Sequence, residues 1–459
     1  MATGAKVNLT EGKVSSHVLR MLGPFSIAII ALISTGIVDT IYLGRLTDAA
    51  RPNLGVMALA AVGFAFPLTF LGNSANIGLG AGTMSAMSRA LGQGDTEKAR
   101  RHGAAAILMG LMVMAILVSL MVFALPHVLS AMGAEGEIKS MATQYALISF
   151  PGLVIVSVAM MSNNILRAGG EAALPSSIMI LGAFINIILD PFLIFGWGPF
   201  PRMEVQGAAL ATLIGNTIAA GFGFSIVLFH RKAISFAEMT IGSIKRAWKV
   251  IGSVGVPAAG TNIIVPLAAT IAVTIVARSL TTVDVAAFTV ASRAELISVG
   301  MLYALSACIG AITGQNGGAG LTDRVRDTFK FCYWICIVWS TLMAVILALF
   351  APQIAGVFSN DAEVVAKTIP YFYIVPVTIF AYGFVFISAA GFNALGRPGY
   401  GLVYTIIRSL LLYVAFIYIG VQMDGLRGAF FGMAGANIIS GLIAASWSMT
   451  KAPMTAKKS

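Results

Sequence analysis

The sequence predicts an all-α polytopic membrane protein with twelve transmembrane helices in two pseudo-symmetric six-helix bundles. Three observations lead to this prediction: an excess of apolar residues, apolar segments of bilayer length, and motifs that recur in both halves. Of the 459 residues, 58% are hydrophobic and only 10% are charged, whereas soluble domains carry about 25% charged residues. The mean hydropathy is +0.90. Such a chain has too few polar residues to cover a soluble surface, so lipid is the solvent that suits it.

Apolar segments of bilayer length recur along the whole chain. A helix needs about 20 apolar residues to cross the hydrocarbon core, and about twelve segments meet this criterion. The segments are 18–46, 56–80, 103–126, 140–162, 174–197, 206–229, 249–277, 284–312, 330–351, 367–391, 400–420 and 427–448. They predict five parts: an N-terminal tail (1–17), an N-lobe (18–229), a connector (230–248), a C-lobe (249–448) and a C-terminal tail (449–459).

The distribution of basic residues predicts the orientation. With the N-terminus in the cytoplasm, 20 of the 29 Lys and Arg fall on cytoplasmic segments and 7 on the opposite side. This bias follows the positive-inside rule and predicts that both termini are cytoplasmic. The net charge of +11 is therefore explained by topology, and we expect no nucleic-acid partner. No cleavable signal peptide is evident, because the first apolar segment is longer than a signal h-region.

The two halves share sequence features. Each half carries a proline early in its first helix, Pro24 and Pro257. The last helix of each half, at 207–216 and 428–437, begins with Gly-Ala and has an asparagine at the same spacing. Six helices per half give both halves the same orientation, and substrate sites tend to lie where such repeats meet.

Two carboxylates in the first half are the strongest functional candidates. Asp39 and Asp190 lie deep in the first and fifth helices, where a charge costs about 2.5–3.5 kcal/mol on insertion scales. Asn186 shares a helix face with Asp190, and Thr212 follows in the sixth helix. Together these oxygens suit a proton or Na⁺, and the alternative is that the acids are structural caps. Pro191 lacks an N–H and frees a carbonyl one turn back.

Other polar residues within helices are candidates for a cavity or a gate. They are Asn164, Arg293, Glu295 and Arg408. Because Arg293 and Glu295 are two residues apart, they do not face each other on a helix, and each is expected to find partners on other helices. Arg408 is the remaining basic residue inside a helix, and it could instead extend to the membrane surface.

The sequence contains no enzyme constellation. The four His are scattered without metal-ligand spacing, and the three Cys (Cys308, Cys332 and Cys336) lie in apolar helices without paired spacing. An odd number of such cysteines argues against a disulfide framework or a zinc site. We therefore expect no enzymatic activity, no cofactor and no metal other than Na⁺ at Asp39, Asn186, Asp190 and Thr212.

Several motifs, taken in order, resemble those of the multidrug and toxic compound extrusion (MATE) transporters over essentially the whole chain. They are Pro24 with IVDTIYLG (37–44), LAAVGFAFP (59–67), GLGAG (78–82), LGQGD (91–95), NIILDP (186–191), GAALAT (207–212), RAE (293–295) and GQNGGAG (314–320). The resemblance implies two six-helix bundles around a central cleft. It also implies export of organic cations or other amphiphiles in exchange for H⁺ or Na⁺.

Within this family the chain is similar to the DinF branch, whose essential acids are in the N-terminal bundle. The resemblance implies that Asp39 and Asp190 are those acids, that Asn186 and Thr212 are their polar neighbours, and that Pro24 is where the first helix bends on protonation. The NorM branch carries acids in helices seven and ten, and the segments 249–277 and 367–391 hold none inside. We therefore favour H⁺ over Na⁺ as the coupling ion.

Alternatives remain open at this point. A flippase for lipid-linked precursors shares the superfamily, and a narrow-substrate metabolite exporter fits the same features. A membrane enzyme or receptor is a third class, but every predicted loop is short. We expect a monomer in a bacterial inner membrane that contacts lipid and small amphiphilic or cationic substrates.

Overall fold

The computed structural model describes residues 8–237, 239–359 and 361–456, and these residues form helices and loops without a β-strand. The α-helices are α1 (Val14–Gly44), α2 (Leu54–Gly92), α3 (Thr96–Ala131), α4 (Gly136–Ala168), α5 (Ala173–Phe195), α6 (Val205–Ser225), α7 (Ile241–Ser279), α8 (Thr282–Gly318), α9 (Thr322–Leu349), α10 (Ala351–Phe358), α11 (Ala362–Ile374), α12 (Ile379–Ala394), α13 (Pro398–Ile406) and α14 (Val414–Ala456). Two π-helical turns, Ile226–His230 and Ile407–Tyr413, and a 3₁₀ turn, Pro376–Thr378, complete them.

The described residues contain eleven helical stretches that are long and apolar enough to cross a membrane, and the last of them folds back on itself. This stretch, Pro398–Thr455, has 58 residues, far more than the roughly 20 that one crossing needs. Its backbone leaves helical geometry at Asp424 and Gly425, where Gly425 has φ +55°. Gly420 and Gly428 then bring the two arms into backbone contact. The prediction of an all-α fold with twelve transmembrane helices is confirmed.

The helices extend beyond the predicted apolar segments. The second helix runs to Gly92 rather than 80, and α7 begins at Ile241, inside the segment predicted as a connector. The tenth predicted helix is divided at Pro376 into α11 and α12. The physical reason is that hydropathy detects only the part of a helix that suits hydrocarbon, whereas backbone hydrogen bonds continue into the polar turns.

The chain divides into two compact units. The described residues of the N-terminal unit lie within 23–87 and 95–259, and those of the C-terminal unit within 8–22, 88–94 and 260–456. Each unit therefore contains most of one predicted lobe, together with short segments from the other half of the sequence.

In the N-terminal unit, small residues allow α5 and α6 to approach closely. A Cβ atom on Gly215 would lie 2.7 Å from the carbonyl oxygen of Gly182 and 3.4 Å from the backbone nitrogen of Asn186. A Cβ on Gly207 would lie 2.5 Å from the backbone of Leu193. Small residues at helix contacts in membranes permit this backbone approach, and here it sets the separation of the helices that carry Asn186 and Thr212.

A charged network ties together one end of the same unit. Arg51, in the loop between α1 and α2, donates to Asp48 at 3.0 Å, to Glu137 at 3.1 Å, and to both carboxylate oxygens of Glu204. The backbone N–H of Ala50 and the Arg51 guanidinium hold the pKa of Asp48 below its usual value. The network joins the loop after α1 to the starts of α4 and α6, so it helps to keep these helices in register.

In the C-terminal unit, Arg324 makes most of the hydrogen bonds that hold the N-terminal segment, and Gln315 and Asn316 each add one to Leu9. Arg324 donates to the carbonyl oxygens of Leu9 at 2.9 Å, Glu11 at 3.1 Å and Gly12 at 2.6 Å. Its Nε also donates to Asn316 at 2.7 Å, and the side chain of Leu9 is fully buried. One guanidinium therefore satisfies three backbone carbonyls before α1 begins.

We predict that Gly215→Ala destabilises the N-terminal unit. The added methyl group would overlap the backbone of α5, and overpacking of this kind costs about 1–3 kcal/mol. Thermal unfolding of the detergent-purified protein measures the effect. Gly221→Ala is the matched control, because a Cβ on Gly221, also in α6, meets no atom within 4 Å. Equal melting temperatures for the two variants would contradict close α5–α6 packing.

We predict that Arg324→Ala releases the N-terminal segment. The lost charge-assisted hydrogen bonds are expected to lower stability by about 1–3 kcal/mol and to expose residues 8–12 to protease. Limited proteolysis followed by mass spectrometry gives the cleavage rate. Arg326→Ala is the control, since Arg326 makes only an exposed contact with Asp323 at 3.7 Å. Unchanged cleavage of the Arg324 variant would show that the segment is held by other contacts.

Candidate functional site

The structure brings the two predicted acids of the N-terminal unit together. Asp39 of α1 and Asp190 of α5 lie close enough for their carboxyl groups to interact directly. Asp190 is fully buried, and neither of its carboxyl oxygens has a hydrogen-bond donor. One oxygen of Asp39 is also buried without a donor. The pair therefore concentrates negative charge among groups that offer it no proton.

Asn186 and Thr212 form the polar edge of this pair. The Asn186 Nδ2 donates to the Thr212 Oγ1 at 3.1 Å, across the α5–α6 contact. This bond leaves the Asn186 Oδ1 buried without a donor. Since Asn186 and Asp190 are four residues apart on one helix face, both present acceptor oxygens in the same direction.

Tyr145 of α4 is a member of the site that the sequence reasoning missed. Its phenol interacts electrostatically with both Asp39 and Asp190, and it bonds to Ser149 on its own helix. A tyrosine four residues from a serine is a common helical pattern, so nothing in the sequence distinguishes it. Only the packing of α4 beside α1 and α5 identifies it.

Pro24 and Pro191 both lie inside the helices that carry the acids. Pro24 is within α1, fifteen residues before Asp39, and Pro191 directly follows Asp190 in α5. Each proline removes one backbone hydrogen bond from its helix. The two acid-bearing helices are therefore weakened at defined points.

The side chains of this site present mainly hydrogen-bond acceptors. Within the described part of the chain, no Lys, Arg or His forms an ion pair with Asp39 or Asp190. The same residues hold no cluster of three or more His, Cys, Asp and Glu side chains that could bind a metal ion. Two carboxylates, an amide oxygen and a hydroxyl suit a proton or a hard monovalent cation.

Asn164, a predicted cavity residue, is part of a helix contact. It is 4% exposed, and its Nδ2 donates to the Met160 carbonyl oxygen of its own helix at 2.8 Å. A Cβ atom on Gly80 would lie only 2.5 Å from the same nitrogen, so the Asn164 amide packs closely against Gly80. Its position fits packing between α2 and α4.

Arg408 and Glu295 form a second polar cluster, in the C-terminal unit. Arg408 lies in the π-helical turn Ile407–Tyr413, and its guanidinium carbon is 3.4 Å from the ring centroid of Tyr382. It donates twice to the Asn437 Oδ1, at 3.0 and 3.2 Å, and it interacts electrostatically with Glu295. Arg408 is 5% exposed, so it is held inside the unit and does not extend to the membrane surface.

Arg293 does not join that cluster. Its side chain is exposed although it lies about three turns inside α8, and among the described residues it makes no hydrogen bond or ion pair. Arg293 and Glu295 therefore point in different directions, as their spacing predicts. The structure thus separates these residues into a pair, the buried Arg408 with the partly buried Glu295, and an exposed arginine.

The comparisons with known proteins agree with this architecture. The MatE family model matches residues 24–192 and 257–419. The FAD transporter of Shewanella oneidensis is 30% identical over 434 residues, which cover 95% of this chain and 94% of that protein. A probable multidrug resistance protein, NorM of Thermotoga maritima, is 24% identical and covers 87% of this chain and 84% of its own length.

A solved structure matches almost the whole chain. It is a transporter of the MOP superfamily from Pyrococcus furiosus, described as having a binding pocket of reverse polarity. The TM-score is 0.89 at 26% identity, and the match covers 99% of both chains. Family model, relatives and fold all point to membrane transporters and not to enzymes, and the chain belongs to the MATE family of multi-pass membrane transporters.

Proposed function

We propose that this transporter is a secondary antiporter that exports small amphiphilic molecules in exchange for H⁺, bound at Asp39 and Asp190. The observation that carries the proposal is the carboxyl pair, three of whose four oxygens are buried without donors and which has no basic partner among the described residues. Two like charges in a medium of low dielectric repel each other strongly. A proton shared between the two carboxyl groups removes one charge and supplies the donor that the pair lacks.

Coupling follows from how the pair responds to that proton. A coupling ion shifts a conformational equilibrium only by its differential affinity for the two states. A conformation that presses Asp39 against Asp190 favours the protonated pair, whereas one that separates or hydrates them favours release. Protonation from outside and release towards the cytoplasm then drive substrate in the opposite direction. Na⁺ is the alternative ion, held by the same carboxylates with Asn186 and Thr212.

Pro24 and Pro191 give α1 and α5 points at which they can bend when the acids bind or release a proton. We assign the bend of α1 to Pro24 and a weaker adjustment of α5 to Pro191, because each lacks one backbone hydrogen bond. Movement of α1 at Pro24 would displace Asp39 relative to α5. This arrangement, with essential acids in the N-lobe (18–229), supports assignment to the DinF-like branch.

The cellular setting follows from topology. The positive-inside bias supports cytoplasmic N- and C-termini, and we place the protein as a monomer in a bacterial inner membrane. Drugs and organic cations are the substrate class that its multidrug relatives suggest, as in the NorM protein of Thermotoga maritima.

A second candidate substrate class is a flavin nucleotide. The observation that favours it is the 30% identity to the FAD transporter of Shewanella oneidensis over nearly the full length of both chains. Export of a phosphorylated metabolite is compatible with proton coupling at Asp39 and Asp190, because the coupling site and the substrate surface need not share residues.

The central prediction concerns the two acids. In vesicles with an imposed pH gradient or Na⁺ gradient, we expect Asp39→Asn and Asp190→Asn each to reduce gradient-driven transport of a fluorescent dye cation at least tenfold. An amide of equal size cannot take up and release a proton, so coupling is lost while the fold remains. The gradient that drives the wild-type protein identifies the ion.

Asp323→Asn is the control for the loss of one carboxylate, because the side chain of Asp323 is 91% exposed. Melting temperatures confirm that all variants are folded. Wild-type transport rates in both acid variants would refute the assignment of the coupling site.

A further inference from the structure

One helix of the C-terminal unit combines deep burial with an exposed face. In α8, 71% of the apolar stretch is buried, compared with 17% in α7. Its exposed side chains include Arg293, Leu296 (58% exposed) and Tyr303 (44% exposed). At 100° per residue, these three positions fall within about a quarter of the helix circumference. Among the side chains that the structure describes, the helix is therefore largely buried except along one stripe.

The charge on this stripe excludes a lipid-facing role. Arg293 lies eleven residues from the start of α8, which is about 16 Å along the helix axis. An arginine exposed to hydrocarbon at that depth is unfavourable, and such residues face polar cavities or substrate paths. We infer that the stripe on α8 opens onto a polar space.

The neighbouring acid does not neutralise Arg293. Glu295 interacts with Arg408, which is buried and held by Asn437 and Tyr382. The Glu295–Arg408 pair balances its own charges and leaves Arg293 as an excess positive charge on the exposed face. The five N–H donors of a guanidinium match phosphate oxygens in geometry and charge.

Aromatic rings continue the stripe away from Arg293. Tyr303 contacts Phe386 edge to face, with ring centroids 4.8 Å apart, and Phe386 contacts Tyr382 at 6.2 Å. Tyr303 is ten residues beyond Arg293, about 15 Å along the helix. The exposed face thus has a cationic end at Arg293 and an aromatic end at Tyr303, whose ring packs against Phe386.

We propose that the stripe Arg293–Leu296–Tyr303 is a substrate-binding surface for an elongated aromatic molecule that carries phosphate, the class to which flavin adenine dinucleotide belongs. Arg293 binds the phosphate, and the exposed ring of Tyr303 stacks on an aromatic ring of the substrate. The inference rests on the proposed function as an exporter and names a substrate class for it. The identity to an FAD transporter supports this choice over a simple inorganic anion.

The test compares two ligands that differ only in phosphate. Purified full-length protein is titrated with flavin mononucleotide and with riboflavin, and binding is followed by flavin fluorescence. We expect the wild type to bind the mononucleotide at least tenfold more tightly, and Arg293→Gln to abolish this preference. Arg278→Gln, which alters an exposed arginine in the last turn of α7, is expected to keep it.

Two further variants keep the test decisive. Arg293→Lys retains the charge without the planar fork, so we expect part of the preference to remain. Tyr303→Leu is expected to weaken both flavins by a similar factor of about threefold or more, because stacking does not depend on phosphate. The Lys variant and the Tyr303 variant decide the question if Arg293→Gln does not accumulate in a folded form.

The results separate this inference from the proposed function. A wild type without phosphate preference, or an Arg293→Gln protein that keeps it, overturns the binding surface even where proton-driven dye export is lost in Asp39→Asn. Conversely, Arg293-dependent flavin binding together with dye export that ignores Asp39 and Asp190 supports the surface and refutes the coupling site.

Discussion

The constraint on which the rest of the structure depends is the cost of an unsatisfied polar group in hydrocarbon. Lipid offers neither hydrogen bonds nor a high dielectric. The backbone of this chain is therefore helical where it crosses the membrane, and each charge there needs a partner, an aqueous cavity or a functional role. The described residues meet the first requirement with helices throughout. The requirement on charges is met differently in the two units, and this difference relates the fold to its proposed function.

In the N-terminal unit the polar residues are acceptors that outnumber their donors. Asp39, Asn186 and Asp190 all present oxygens without partners, and a hydrogen bond joins Asn186 to Thr212 of α6. In the C-terminal unit the buried polar residues include a cation, Arg408, which bonds to Asn437 on the following helix. Both halves therefore join a polar residue of their predicted fifth helix to the sixth by a hydrogen bond, through a neutral amide in one half and a guanidinium in the other. The acidic pair suits a coupling cation, and the exposed Arg293 of the other unit, rather than the charge-balanced Arg408, suits an anionic group of a substrate.

Such a division gives an antiporter an advantage. When a proton and a substrate compete for the same residues, the substrate must resemble a cation. When they use different units, the substrate is free to carry phosphate, and coupling depends on how each ligand biases the conformational equilibrium. Pro191 directly follows Asp190 in α5, whereas Pro24 lies fifteen residues before Asp39 in α1. A bend at Pro24 would therefore act on the coupling site through the length of α1.

Much of this molecule follows from the sequence by itself. Segment length and charge bias determine an all-helical membrane protein and its predicted orientation, because bilayer thickness and the positive-inside rule act on composition alone. The sequence also identifies Asp39 and Asp190, since acids within apolar helices are rare enough to be noticed individually.

The sequence could not show which helices lie next to each other. Periodicity gives the face of a helix but not its neighbour, so Tyr145 was missed, and Asn164 was grouped with cavity residues although its amide packs against Gly80. In the same way, only the tertiary structure separated Arg293 from Arg408. Arg408 is buried and stacked on Tyr382, whereas Arg293 is exposed and has no partner among the described residues. Burial of this kind is decided by contacts between helices that are distant in sequence.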